Sequence, residues 1–133
     1  MKRLQFKYIL FIFLIITAGS CRKGFLSEDN NSAADNSEQV IYVTSPLLGS
    51  VYNPGDTLKI VWGSSLNIKT VSIKLFKKEE LRDIIANQIS NEQQYEWIIP
   101  SNFLPSTQYK IKVESVNNPD VYNFSGVFSI LLQ

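Results

Sequence analysis

The chain has 133 residues, with 13 Lys+Arg against 12 Asp+Glu, no histidine and one cysteine. That length bounds it to one domain plus whatever leads into it, and a near-neutral balance offers no cationic excess for neutralising phosphates, which removes nucleic acid as a partner. The lack of histidine removes Ser-His-Asp and Cys-His catalysis together with histidine-based zinc or iron sites, and a lone cysteine makes no intramolecular disulfide, so the fold stands on packing alone.

Lys2, Arg3 and Lys7 form a positive head, residues 8–16 an unbroken apolar run, and Thr17, Ala18, Gly19 and Ser20 a small-residue stretch that ends at Cys21. This is the layout of an export signal. The apolar run falls short of the roughly twenty residues that a membrane-spanning helix needs. Ala18-Gly19-Ser20-Cys21 resembles the lipobox of bacterial lipoproteins, which implies loss of residues 1–20 and a membrane anchor through lipid on Cys21. Ala18 stands where lipoboxes usually carry leucine, so ordinary signal-peptide cleavage with Cys21 as a bystander is the alternative reading. Loss of the head leaves fewer basic than acidic residues. Residues 21–39 hold little to bury and read as a flexible tether. The acidic and amide run at 28–35 lacks the spacing, central glycine and terminal glutamate of an EF-hand, so no metal site is expected there.

From Val40 the vocabulary changes to short runs of Val, Ile, Tyr, Phe and Thr between turn residues, which is that of β-strands. The first strand is expected at 40–44, stopping at Ser45-Pro46. Asn53-Pro54-Gly55-Asp56 suits a type II turn, whose third residue needs positive φ. A strand at 57–62 places Leu58, Ile60 and Trp62 on one face, and one at 71–77 turns Val71, Ile73 and Leu75 inward and Ser72, Lys74 and Phe76 outward. Residues 78–89 read either way: Leu81, Ile84 and Ile85 sit at helical spacing, but a strand around 82–85 suits the all-β surroundings better. Tyr95, Trp97 and Ile99 share a face, and the strand carrying them ends at Pro100. Tyr109, Ile111 and Val113 alternate with lysines, and the Leu104, Pro105, Tyr109 spacing is that of a tyrosine corner. A single last strand is expected over 121–132, with Phe124, Gly126, Phe128 and Ile130 on a common face. About seven strands without a convincing helix give an all-β fold, an immunoglobulin-like antiparallel β-sandwich spanning 40–133.

Ile41-Tyr-Val-Thr-Ser-Pro46, Gly49, Pro54-Gly55, Leu58-Lys-Ile-Val-Trp62, Val71-Ser-Ile-Lys-Leu75, Tyr95-Glu-Trp-Ile-Ile-Pro100, Tyr109-Lys-Ile-Lys-Val113 and Ser125-Gly-Val-Phe-Ser-Ile130 occur in an order that resembles the Kre9/KNH-like domain, also described as the Ser-Thr-rich GPI-anchored membrane protein family. The resemblance implies an immunoglobulin-like sandwich of cell-surface and secreted proteins, associated in fungi with cell-wall β-glucan assembly. It brings no catalytic residues, because its motif positions are core and turn positions. The serine/threonine-rich tail of the fungal members has no counterpart in this sequence, so the glucan role is not carried over.

For chemistry there remain carboxylate pairs of the glycosidase kind, drawn from Asp56, Glu79, Glu80, Asp83, Glu92, Glu96, Glu114 and Asp120. All fall on outward strand faces or in turns, where solubility explains them. Trp62 and Trp97 invite a sugar-stacking reading, yet both share the inward faces, and together with Tyr109 they are assigned to the core. Tyr42, Tyr52, Phe76 and Tyr122 fall on outward faces or loops and are the candidate ligand contacts. No catalytic residue and no cofactor is expected. The reading is a non-enzymatic, lipid-anchored module of the bacterial cell envelope, periplasmic or surface-exposed, that binds or scaffolds another surface protein or cell-wall component. The alternative is a small carbohydrate-binding lipoprotein with a glycan as partner.

Overall fold

The computed structural model describes residues 38–132. The expected export signal, Cys21 and the expected tether as far as residue 37 lie outside the described residues.

The described residues form nine strands and no helix: β1 (Ile41–Ser45), β2 (Val51–Tyr52), β3 (Thr57–Ser64), β4 (Thr70–Lys77), β5 (Glu80–Ser90), β6 (Gln94–Ile98), β7 (Ser106–Ser115), β8 (Tyr122–Phe124) and β9 (Phe128–Ile130). One sheet runs β1-β3-β6. The other runs β2-β9-β7-β4-β5, with β8 also paired to β7. Every pairing is antiparallel except that of β2 with β9. Alternation along β3, β4 and β7 sends Leu58, Ile60 and Trp62 from one sheet, and Val71, Ile73, Leu75, Tyr109, Ile111 and Val113 from the other, into a shared core that Phe128 and Ile130 complete. The result is an immunoglobulin-like β-sandwich.

Two connections fix how the sheets meet. In the turn before β3, Gly55 takes φ +94°, the Asp56 amide donates to the Asn53 carbonyl at 3.0 Å, and the Gly55 amide donates to the Ile99 carbonyl at 2.8 Å, which ties the turn to the end of β6. Before β7, the Tyr109 hydroxyl donates to the Leu104 carbonyl at 2.6 Å, five residues upstream, and so clamps the loop that crosses between sheets.

Three expectations are corrected. The single last strand is two pieces, because Ser125 spends its backbone and side chain on Ile111: its amide donates to the Ile111 carbonyl, and its hydroxyl accepts the Ile111 amide. The irregular 125–127 step turns Phe124 outward and Phe128 inward, so they share no face. Residues 80–90 are strand throughout, longer than 82–85, and the helical spacing of Leu81 and Ile84 leaves both exposed. Glu114 and Ser72 face outward yet are buried, Glu114 at 8% exposure, because neighbouring side chains close over them.

Candidate functional site

The outer face of the larger sheet carries alternating lysines and rings. Pairing sets Phe76 opposite Lys110, Lys74 opposite Lys112 and Ser72 opposite Glu114, with Phe124 beside Lys112 and Tyr122 beside Glu114. Two lysines directly across from one another repel. Glu114 resolves this by accepting from both, from Lys74 and from Lys112 at 2.7 Å. Burial works to raise the pKa of Glu114, but hydrogen bonds and charge from Lys112 and Lys74 outweigh it and hold the carboxyl below the ordinary carboxylate value. Lys110 lies 4.3 Å from the Phe124 ring centre and pairs with Glu79 at 3.0 Å, and Lys112 lies 4.0 Å from that of Tyr122. Phe76 meets Phe124 edge to face at 5.4 Å, and Tyr122 meets Phe124 at 5.8 Å. Each charge on this face already has a partner within the face, so the network spends its chemistry on itself.

The opposite situation holds at a cleft of about 380 Å³ between β5 and the β6–β7 connection. Pro100, Phe103 and Leu104 supply its apolar lining, Arg82, Asp83 and Asn102 its polar groups, and the buried Tyr109 also lines it. Consecutive strand residues normally point to opposite faces, yet Arg82 and Asp83 both reach the cleft. The reason is a bulge: Phe76 pairs with Leu81 and Leu75 with Asp83, which leaves Arg82 as the extra residue. Arg82 reaches Glu80 only at 3.4 Å, although its own side chain is just 36% exposed. Asp83 accepts the Ile84 amide on one oxygen at 2.8 Å. Among the described residues neither Asp83 nor Asn102 has a further side-chain partner. Burial pushes the Tyr109 hydroxyl above its ordinary pKa, and the nearby Arg82 charge offsets part of that shift.

The sequence candidates are scattered. Phe76 and Tyr122 come together through Phe124 on the lysine face, where Tyr122 remains 47% exposed. Tyr42 lies on the smaller sheet, its ring over Gly63, its cross-strand partner. Tyr52 packs edge-on against Phe128 at 5.8 Å and joins the core margin. Trp62, Trp97 and Tyr109 are buried. Cys21 lies outside the described residues. Among the described residues no group of three or more acidic, cysteine or histidine side chains is placed to hold a metal ion. Sequence reasoning passed over Arg82, Asn102 and Phe103. Its one available signal was that Arg82 is the single arginine after Arg22.

The family model described as the Kre9/KNH-like N-terminal Ig-like domain matches residues 45–130, from the last residue of β1 to the last of β9. Comparison with curated proteins gives no match. Among solved structures, the chain is similar to the fibronectin(III)-like modules of Clostridium thermocellum CbhA, with 16% identity over 70% of this chain and 94% of that one, and a TM-score of 0.43.

Proposed function

Since the chain belongs to the Kre9/KNH-like N-terminal Ig-like domain family, we propose that it works as a non-enzymatic, lipid-anchored module of the bacterial envelope that binds or scaffolds another surface component. The export head, the apolar run of 8–16 and the small residues before Cys21 support the address. The observation that carries the binding reading is the contrast between the two surfaces: the lysine face is internally paired, whereas the cleft holds Arg82, Asp83 and Asn102 beside apolar side chains with bonding capacity left over. Its position supports the same reading. The chain enters the sandwich where the Ser65 amide and hydroxyl hold Val40 and Glu38, next to the β3–β4 and β5–β6 turns. The cleft lies at the other end of the strands from residues 38–40, by the β6–β7 connection.

A photo-crosslinking residue in place of Leu104, in the full chain on intact cells, is expected to capture an envelope component, while the same residue in place of Lys59 on the smaller sheet captures none. Equal capture from both positions, or none from Leu104, removes the cleft as the docking site.

A further inference from the structure

Arg82 and Asp83 bring opposite charges to one side of the cleft, and this restricts what the cleft accepts. An anion gains from Arg82 but meets the carboxylate of Asp83, and a cation meets the reverse; a neutral ligand that both donates and accepts suffers neither penalty. The polar groups supply both capacities: the N–H donors of the planar guanidinium fork beyond the one given to Glu80, an acceptor oxygen on Asp83 left over after the Ile84 amide, and an Asn102 amide that does both. Beside them Pro100, Phe103 and Leu104 offer apolar surface. The Phe103 ring cannot swing freely, being set edge-on to Trp97 at 5.7 Å and tilted against Tyr109 at 5.5 Å. The loop that carries it is clamped by the Tyr109 hydroxyl on the Leu104 carbonyl. A preformed cleft of about 380 Å³ stands at the small end of the usual ligand-site range of roughly 300–1,000 Å³, suited to a terminal sugar ring rather than to a long chain.

Resting on the binding reading above, we infer that this cleft is a saccharide subsite that takes a neutral sugar residue, its vicinal hydroxyls shared between Arg82, Asp83 and Asn102 and its C–H face laid on Phe103 and Pro100. The bulge at Arg82 is what assembles the site: with regular alternation, Arg82 and Asp83 would face opposite sides of β5 and only one of them would reach the cleft.

The test titrates the full chain, purified in detergent, with neutral hexose, pentose and N-acetylhexosamine oligosaccharides, and follows the backbone amide resonances of Arg82 and of residues 102–104. Saturable shifts from at least one neutral oligosaccharide are expected. Binding is expected to weaken roughly tenfold or more in Arg82→Ala and in Asn102→Ala, the loss that goes with removing a hydrogen bond involving a charged or convergent polar group. Arg82→Lys keeps the charge but loses the fork, so it is expected to fall with Arg82→Ala. Lys59→Ala, on the smaller sheet, is expected to bind as the parent does, and the melting temperatures of all variants serve as the check on folding.

Silence from every neutral oligosaccharide overturns the inference. So does binding confined to uronate oligomers or to a zwitterionic dipeptide, or full rescue by Arg82→Lys, since each points to charge rather than hydroxyl recognition. Aggregation of Arg82→Ala without any sugar response in the parent overturns it as well, and leaves the bulge as edge protection for β5. Crosslinking from position 104 that persists while all saccharides are silent keeps the docking reading and removes this one.

Discussion

Trp62 shows how a single polar side chain completes a core. Its indole needs a hydrogen-bond partner inside the sandwich, and Asn91 supplies one, accepting from Nε1 at 2.8 Å while donating to the Ser64 hydroxyl and the Ile68 carbonyl, each at 2.7 Å. Nothing in the local sequence announces this, because an asparagine before a turn is an ordinary loop residue and its partners come from β3 and the loop after it, more than twenty residues upstream. Two glycines show the same dependence on tertiary neighbours. A methyl group at Gly126 would meet the Leu48 backbone nitrogen at 2.2 Å, whereas one at Gly63 would meet the Tyr42 ring at 2.1 Å. Backbone held in a loop yields at a cost, but the far end of a tyrosine on an exposed face swings aside. Gly126→Ala is therefore expected to cost about 1–3 kcal/mol, as overpacking does, and Gly63→Ala clearly less. Thermal or urea unfolding of the two variants checks the order, and a larger loss for Gly63→Ala would show that the Tyr42 ring is held in place.

At the scale of elements, β3, β4 and β7 were legible because Leu58 and Ile60, or Val71, Ile73 and Leu75, alternate with polar residues over half-buried strands. The two places where reading by alternation failed are both breaks in the ladder. Phe124 and Phe128 keep the same parity, and only the Ser125–Ile111 bonding turns one out and the other in. Arg82 enters the cleft through a bulge, a feature of pairing rather than of composition, so the candidate site was far less legible than the fold. The β4–β7 pair also sets a pH response. The folded pKa of Glu114 lies below its ordinary value, so its contribution is fully present above that ordinary value and is lost as the pH falls through the lower folded one. Glu114→Gln leaves Lys74 and Lys112 facing each other and is expected to cost about 2 kcal/mol at neutral pH, the order for hydrogen bonds between charged groups. Melting temperatures of parent and variant, measured from neutral pH into the acid range, are expected to converge at the acid end. A constant gap would mean that the carboxylate charge contributes nothing and that only its shape matters.

At the scale of the whole molecule, the sandwich closes on itself from residue 38 onward. Ser65 holds Glu38 and Val40, Asn123 donates to the Ile41 carbonyl at 3.1 Å and so ties β8 to β1 across the two sheets, and the described residues fall in one compact unit. Folding and address are therefore expected to separate. A chain that begins at residue 36 is expected to melt with the Cys21→Ala full chain, because truncation removes none of the contacts among the described residues. A chain that begins after Ser45 loses β1 and the Ile41 packing, and is expected to melt well below both. On the proposed function, the address rests on a lipid at Cys21. A single acyl chain holds a protein to a membrane only marginally and several hold it firmly, so Cys21→Ala is expected to move the protein from the membrane to the soluble fraction while leaving the sandwich folded. Fractionation of cells producing the two full-length forms reads this directly. If Cys21→Ala stays membrane-bound with its first 20 residues still attached, the apolar run of 8–16 is holding the membrane without help from the cysteine, and the lipid-anchored half of the proposed function falls while the binding half stands.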